Sequence, residues 1–358
     1  MKKTRKNILF ALAAILLVFA VLEGGSRLYQ RFTSDELHSV GRETLAFAVD
    51  DLSPYVLFRP LPSLELRPGE KYFFDFDGVT VTAEKPPGEY RIFIMGGSVA
   101  KGYGASAPDK KFYRILETLL NENRPEQSRK HFKVISAGRL GYVSAQELIL
   151  LLMGIFDFHP DMVIHLNGAN DIIAVAQRQE SPGYPFYFQS LKKALKAVTL
   201  ERQIDQTLGK SAFLSALGRM FKKYRTSIPD LTATNITRHY TRNMRQTAQF
   251  LSANGIETFF ILQPVLLYKK EPSPGEQALV NNKTAQSVQI WKTTYPRLAE
   301  TLKTISGEEK IHWRDFRGAF DTTGETVFTD SVHFNNRGQG ILAHALFEAI
   351  KTTAYGKE

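Results

Sequence analysis

The chain has 358 residues, of which 43% are hydrophobic, and this length is sufficient for one domain with a sizeable core. It contains no cysteine, which excludes disulfide bonds, a thiol nucleophile and a lipid anchor attached through cysteine. The net charge of +10 is spread along the chain without a nucleic-acid-binding motif, so we expect no nucleic acid as partner and favour an anionic membrane surface or an acidic polysaccharide.

The N-terminal segment has the pattern of an export signal. Four basic residues precede fifteen uninterrupted apolar residues, Ile8 to Leu22. This run is long for the core of a signal peptide and short for a full membrane span of about 20 residues, and no good cleavage site follows it. We therefore expect residues 1–32 to form a basic cytoplasmic tip and an uncleaved transmembrane signal anchor, with a cleaved signal peptide as the alternative. In both cases the remainder of the chain is exported.

Three further regions follow the anchor. Residues 33–89 are rich in proline and contain short alternating segments, which predict a stalk with short strands. Residues 90–358 form one predicted domain of roughly 270 residues. Within it, residues 172–235 form a helical insertion that is both apolar and basic. This pattern predicts either a lid or bilayer-surface helix, or an ordinary amphipathic helix packed on the core.

Short apolar runs and helical patterns alternate through the domain. The predicted strands cover residues 90–95, 132–136, 161–166, 258–262 and 312–316. The predicted helices cover residues 111–121, 144–156 and 236–254. Such alternation predicts an α/β fold with a parallel sheet and right-handed crossovers.

Three of the predicted strands end in short blocks that carry polar groups or glycine. The blocks are Gly96-Gly97-Ser98, the glycine Gly138 in an S-A-G-R-L-G run, and Gly168-Ala169-Asn170-Asp171. Because the carboxyl ends of parallel strands meet at one edge of a sheet, we expect Ser98, Gly138 and Asn170 to lie together. A serine, a bare backbone N–H and a side-chain amide are the nucleophile and oxyanion donors of acyl-transfer chemistry. Taken singly, each residue is equally typical of a turn or a helix cap.

A fourth block, Asp330-Ser331-Val332-His333, lies near the C-terminus. A carboxylate three residues before a histidine can accept a hydrogen bond from the imidazole, which fixes the tautomer and stabilises the imidazolium. Taken singly, this pair is equally typical of a surface aspartate and a structural histidine.

In this order the four blocks resemble those of the SGNH hydrolases, also called GDSL-type esterases and lipases. Ser98, Gly138, Asn170 and His333 fall in turn on the four signature blocks, and Asp330 occupies the first position of the D-x-x-H pattern. The G-R-L-G-Y-V-S-A-Q run is similar to that of larger, membrane-anchored bacterial members. The first block departs from the pattern, because it reads G-G-S where the family name implies G-D-S.

The resemblance implies a three-layer α/β/α fold of flavodoxin-like type and a reaction that needs neither a metal nor a cofactor. Ser98 would attack an ester carbonyl while His333, oriented by Asp330, takes its proton. The backbone N–H groups of Ser98 and Gly138, with the amide of Asn170, would hold the oxyanion.

Together with the N-terminal pattern, the resemblance predicts a serine esterase that is anchored in the inner membrane with its domain in the periplasm. The expected substrate is an O-acyl ester of a cell-envelope glycan or of a lipid-like molecule. Two alternatives stay open: an O-acyltransferase that uses the same triad on an envelope polysaccharide, and a non-catalytic envelope assembly protein.

Overall fold

The computed structural model describes residues 2–33, 52–53, 57–58, 73–75, 80–189 and 229–356. The chain divides into two units, of which the first comprises residues 1–51 and 187–228 and the second comprises residues 52–186 and 229–358. In the first unit, helix α1 spans Lys2–Thr33, and apolar side chains along it, such as Phe10 and Leu17, are exposed. Within the described ranges, no helix has both the length and the apolar character needed to cross a bilayer.

The second unit begins with two small antiparallel strand pairs. Strands β1 (Leu52–Ser53) and β2 (Leu57–Phe58) form the first pair, and β3 (Phe73–Asp75) and β4 (Thr80–Thr82) form the second. These pairs fall in the region predicted to be a stalk with short strands. Much of that region lies outside the described residues.

A five-stranded, fully parallel sheet forms the centre of the second unit. Its strands are β5 (Glu89–Gly96), β6 (His131–Ser136), β7 (Met162–Asn167), β8 (Glu257–Leu262) and β9 (His312–Asp315). They lie in the order β6-β5-β7-β8-β9. Strands β5 and β7 are almost wholly buried, as expected for strands covered on both faces. The predicted α/β fold with a parallel sheet is therefore confirmed.

Helices cover both faces of this sheet. They are α2 (Phe112–Glu122), α3 (Ser144–Leu150), α4 (Ala169–Ala176), α5 (Pro229–Ala253), α6 (Pro274–Asn281), α7 (Ala285–Glu309) and α8 (Asn336–Tyr355). The step from β5 to β6 runs opposite to the later steps, so right-handed crossovers place α2 on one face and α3, α5 and α7 on the other. Helix α8 packs on α2, and α5 packs on α7. The result is an α/β/α arrangement.

Two helices differ from the predicted ranges. The helix predicted over residues 144–156 is regular only to Leu150, because a widened turn over Leu151–Ile155 follows it. Helix α5 begins at Pro229, seven residues before its predicted start, and proline is favoured in the first turn of a helix. Most of the predicted helical insertion, residues 190–228, lies outside the described residues.

Arg91 ties the chain that enters the sheet to the sheet itself. Its side chain is 1% exposed and pairs with Glu89 at 2.5 Å. The guanidinium also donates to the carbonyl oxygens of Thr82 and Phe158 at 2.9 and 2.8 Å, and to that of Glu84 at 3.1 Å. One side chain therefore links the end of β4, the start of β5 and the crossover that leads to β7.

We expect Arg91→Met to lower the free energy of unfolding by about 3–5 kcal/mol, because it leaves Glu89 and three carbonyl oxygens without their partner. Urea denaturation checks this value. Lys351→Met is the matched control, since its pair with Glu348 is exposed and should contribute less than about 1 kcal/mol. Equal losses in the two variants would contradict the anchoring role of Arg91.

Candidate active site

The candidate site lies where the strand order of the sheet reverses. Strands β5 and β7 are neighbours up to the pair Gly96 and Leu166, but β5 leads to β6 on one side and β7 leads to β8 on the other. Loops that leave in opposite directions open a crevice at the carboxyl ends of the strands. Ser98 comes two residues after β5, and Asn170 comes three residues after β7. Both residues therefore border this crevice.

A sharp turn presents Ser98 at the end of β5. Gly96 has a φ of 149°, and a Cβ at this position would lie 2.2 Å from the carbonyl oxygen of Leu166. Only glycine fits both constraints. After the turn, the backbone N–H of Tyr103 donates to the carbonyl oxygen of Ser98 at 3.0 Å, which closes a compact loop. Ser98 is 8% exposed, so its hydroxyl is held by the surrounding protein rather than by bulk water.

Ser98, His333 and Asp330 form a continuous line of hydrogen bonds. The Oγ of Ser98 lies 2.6 Å from His333 Nε2, and His333 Nδ1 lies 2.6 Å from Asp330 Oδ2. Both distances are within the range required for proton transfer to a general base. The structure thus brings together the three residues that the sequence predicted as a triad.

Asp330 is held as a carboxylate. Its Oδ1 accepts the backbone N–H groups of Val332 and His333 at 2.8 and 2.9 Å, while Oδ2 faces the imidazole. Burial raises the pKa of Asp330, but the hydrogen bond and charge of His333 and the two backbone donors outweigh burial and lower it to about 2. An ionised Asp330 needs a proton on His333 Nδ1, so Nε2 is left to accept the Ser98 proton.

The segment that carries His333 is folded back on itself. An isolated antiparallel bridge joins Phe328 to Phe334, and the N–H of Thr329 donates to the carbonyl oxygen of His333 at 3.0 Å. Phe320 packs edge-on against both bridge phenylalanines, with ring centroids 5.2 and 4.9 Å away. Asp330 and His333 therefore lie at the tip of a short loop, and phenylalanine rings pack together where this loop begins and ends.

A buried glutamate fixes the base of this loop. Glu276 of α6 is 0% exposed, and one of its oxygens accepts the N–H groups of Val327 and Phe328, each at 2.9 Å. Its other oxygen accepts Lys269 Nζ at 2.7 Å and the N–H of Ser273 at 2.8 Å. Burial raises the pKa of Glu276, but these donors, led by the Lys269 ammonium, lower it to about 2. Sequence reasoning missed Glu276, whose sequence signal is that of a capping box at the start of a helix.

Asn170, at the start of α4, lies against Gly97, the residue before Ser98. Its Nδ2 donates to the carbonyl oxygen of Tyr142 at 2.8 Å, and this bond uses one of the two amide hydrogens. The same Nδ2 lies only 2.1 Å from the point where Gly97 would carry a Cβ. The amide is therefore packed against the residue that precedes Ser98, which suits the predicted role of Asn170 as an oxyanion donor.

Gly138 is engaged elsewhere. Its N–H donates to Ser136 Oγ at 3.3 Å, and a Cβ on it would lie 2.5 Å from the backbone nitrogen of Lys101. Gly138 therefore serves the close packing of β6 against the loop after Ser98, and its predicted oxyanion role stays a prediction. Gly141, in the same S-A-G-R-L-G run, has a φ of 72° and adjoins Tyr142, the residue that Asn170 contacts. In the sequence, the only feature that singled out Gly141 was the second occurrence of glycine in this run.

Asp171 is a buried carboxylate beside Asn170. It is 4% exposed, and its two oxygens accept the hydroxyl of Ser144 at 2.6 Å and the N–H of Ser144 at 3.1 Å. Asn243 in turn donates to the Ser144 hydroxyl at 2.9 Å. Burial raises the pKa of Asp171 to about 7, Glu147 adds to the rise, and the bonds from Ser144 oppose it. This group ties the start of α4 to the start of α3.

The ring of Tyr103 flanks the histidine on its solvent side. The two ring centroids are 4.7 Å apart, and Tyr103 is 53% exposed. The buried side chain of Gln339 holds this loop, because it donates to the carbonyl oxygen of Tyr103 and accepts the N–H of Phe112, each at 3.1 Å. Sequence reasoning missed Tyr103, although a tyrosine between two glycines shortly after Ser98 is an unusual sequence.

No protein-family model and no curated relative matches the chain. Solved structures with a similar topology include the acetyl xylan esterase AlAXEase, at 11% identity over 73% of this chain and 99% of that one, with a TM-score of 0.45. A GDSL-like lipase from Parabacteroides merdae matches at 12% identity over 75% and 95% of the two chains, with a TM-score of 0.44. TesA matches at 13% identity over 73% and 98%, with a TM-score of 0.42. Similarity at this level has no bearing on the activity of this chain.

We expect Glu276→Gln to lower the free energy of unfolding by about 3–5 kcal/mol at pH 7, because it leaves the Lys269 ammonium buried without its counter-ion. The depressed pKa of Glu276 stabilises the fold above its ordinary value of 4.5, and this contribution is lost as the pH falls toward 2. Urea denaturation should therefore show a weaker loss of stability between pH 6 and pH 3 in the variant than in the wild type.

Glu308→Gln is the matched control for this experiment, because Glu308 pairs with Arg245 at the surface and both side chains are about half exposed. It should change the stability by less than about 1 kcal/mol. If Glu276→Gln has an equally small effect at pH 7, Glu276 does not hold the loop.

Proposed function

We propose that this protein is a serine ester hydrolase of the SGNH type. The observation that carries the proposal is the line of two 2.6 Å contacts from Ser98 through His333 to Asp330, at the strand-order reversal of a parallel sheet. A serine bound to a histidine, which is in turn bound to a carboxylate, is the arrangement that activates a hydroxyl for attack on a carbonyl.

The proposed reaction proceeds in two acyl transfers. Ser98 Oγ bonds to the ester carbonyl carbon as its proton passes to His333 Nε2, and the carbonyl oxygen becomes an oxyanion. Collapse of this intermediate breaks the bond to the alcohol, which leaves with the proton from His333. Water then attacks the acyl-serine, gives its proton to His333, and releases the carboxylic acid and the free Ser98 hydroxyl.

The free amide hydrogen of Asn170 and the backbone N–H of Ser98 are the proposed donors to the oxyanion. One such donor typically lowers the barrier by about 3–4 kcal/mol. The negative charge of the ionised Asp330 balances the positive charge that His333 gains during attack, and this stabilises both tetrahedral intermediates.

The substrate class that we propose is an O-acyl ester of a cell-envelope glycan or of a lipid-like molecule. Support for it comes from the sequence, through the export pattern of the first 22 residues and the spread positive charge. The same triad also serves acyl transfer to a sugar hydroxyl in place of water. Release of free acid without an acceptor indicates hydrolysis, whereas acceptor-dependent turnover indicates an acyltransferase.

Ser98→Ala tests the proposed nucleophile. We expect the wild type to hydrolyse a simple aryl acetate and to be labelled by a serine-reactive fluorophosphonate, and the variant to do neither while it keeps the circular dichroism spectrum of the wild type. Ser106→Ala is the matched control, because the Ser106 hydroxyl accepts from Asn336 and is not part of the triad, so its loss should leave labelling intact. Full activity in Ser98→Ala would exclude Ser98 as the nucleophile. Absence of both hydrolysis and labelling in the wild type would exclude the proposal and favour a non-catalytic assembly protein.

Asp330→Asn tests the role of the carboxylate. An amide at this position keeps the shape but favours the wrong tautomer of His333, and the loss of kcat in the serine-protease precedent is about 10⁴. Asp109→Asn is the control, because the side chain of Asp109 is exposed and lies outside the triad. A loss of less than about tenfold in Asp330→Asn would show that another acceptor orients His333.

We further propose that the chain is exported and held at the inner membrane by its N-terminal segment, with the second unit in the periplasm. The support is the basic residues that precede the apolar run Ile8 to Leu22, which lies within α1. A reporter enzyme that is active only in the periplasm, fused after Glu358, should be active. Recovery of the intact chain in the cytosol, without membrane association, would overturn the proposed location.

A further inference from the structure

Gly97 does not need to be glycine for the sake of its backbone. Unlike Gly96, it does not have a positive φ, so its φ does not require glycine. The space beside it is what excludes a side chain. A Cβ on Gly97 would lie 2.1 Å from Asn170 Nδ2 and 3.2 Å from Asn170 Cγ. The nearest atom other than those of Asn170 is the carbonyl oxygen of Tyr142, at an ordinary contact distance of 3.5 Å.

The amide of Asn170 cannot move aside without breaking a hydrogen bond. It is tied to the carbonyl oxygen of Tyr142 at 2.8 Å, and this oxygen is itself held in place. Two residues further on, the N–H and hydroxyl of Ser144 both donate to the buried carboxylate of Asp171, which adjoins Asn170 on α4. The loop that accepts from Asn170 and the helix that carries Asn170 are therefore locked to each other.

We propose that Gly97 is a positioning residue for the oxyanion donor: its missing side chain creates the space that the Asn170 amide occupies beside Ser98. The inference rests on the proposed function and adds a role for the residue at which this chain departs from the G-D-S pattern. Asn170 can bond to Tyr142 in its present position because the second glycine of G-G-S has no side chain. In this structure, a side chain at position 97 would meet the Asn170 amide where it now lies.

Gly97→Ala is the sharpest probe of this role. The added methyl group meets the end of a side chain rather than the backbone, so the amide swings away and the fold is retained. We expect kcat on an aryl acetate to fall about 10²–10³-fold, as for the loss of one oxyanion donor, with KM changed less than about threefold. The thermal unfolding midpoint should stay within about 2 °C of the wild type.

A double-mutant cycle separates positioning from a general structural effect. In Asn170→Ala the amide is gone and the space beside Gly97 is empty. Adding Gly97→Ala to that variant should therefore lower kcat less than about threefold further. If Gly97→Ala causes the same fold-loss in both backgrounds, the proposal is wrong. Retention of full kcat in the single variant also overturns it.

Gly275→Ala is the matched control, because within the described part of the chain no atom beyond its chain neighbours and its own helix backbone lies within 4 Å of the added methyl group. It should leave kcat and KM at the wild-type values.

A readout that is independent of activity distinguishes this inference from the proposed function. The side-chain amide signals of Asn170 in a ¹H–¹⁵N spectrum, assigned by comparison with Asn170→Ala, report its bond to Tyr142. In Gly97→Ala these signals should shift toward those of a solvent-exposed amide, whatever the enzyme does. Unchanged Asn170 signals overturn the inference, whereas a missing effect of Ser98→Ala on labelling overturns only the function.

Discussion

Strands β5 and β7 run side by side to their last residues, and the space between the end of one and the carbonyl groups of the other admits only a glycine at position 96. Hydrogen-bonded strands lie about 4.8 Å apart, so this contact fixes how far apart the two following loops begin. Ser98 and Asn170 leave the sheet from those two points. The spacing of the strands thus sets the separation of the Ser98 hydroxyl and the Asn170 amide. The C-terminal part of the chain then places His333 beside them.

Three acidic side chains near the site show how surroundings decide the charge of the same chemical group. Asp330 and Glu276 each accept at least three hydrogen bonds, from donors that include the histidine and the lysine, and their pKa values fall to about 2. Asp171 accepts from the neutral donors of Ser144 and is fully buried near Glu147, so its pKa rises to about 7. Asp330 and Glu276 are therefore charged at neutral pH, whereas the pKa of Asp171 lies close to neutral pH.

The parts of this arrangement that sequence could predict are those that repeat a short local pattern. The five strands and Ser98, Asn170, Asp330 and His333 were recognisable because each lies in, or directly follows, an apolar run or a compact motif. Gly138 and Gly141 could not be ranked, since the bond from the Gly138 N–H to the Ser136 hydroxyl is visible only in the structure. Glu276 and Tyr103 could not be found, because each acts on a segment that is distant in sequence. The widened turn after α3 also depends on packing and not on local propensity.

The two ends of the proposed proton path are 235 residues apart, and His333 comes after every strand of the parallel sheet. Helix α8, which packs on α2, follows the histidine directly. Because the proposed export delivers the chain to the periplasm from its N-terminus, the serine turn and its amide neighbour emerge before the segment that carries their base. In the proposed mechanism, the Ser98 hydroxyl therefore gains its base only when the C-terminal part of the domain has folded.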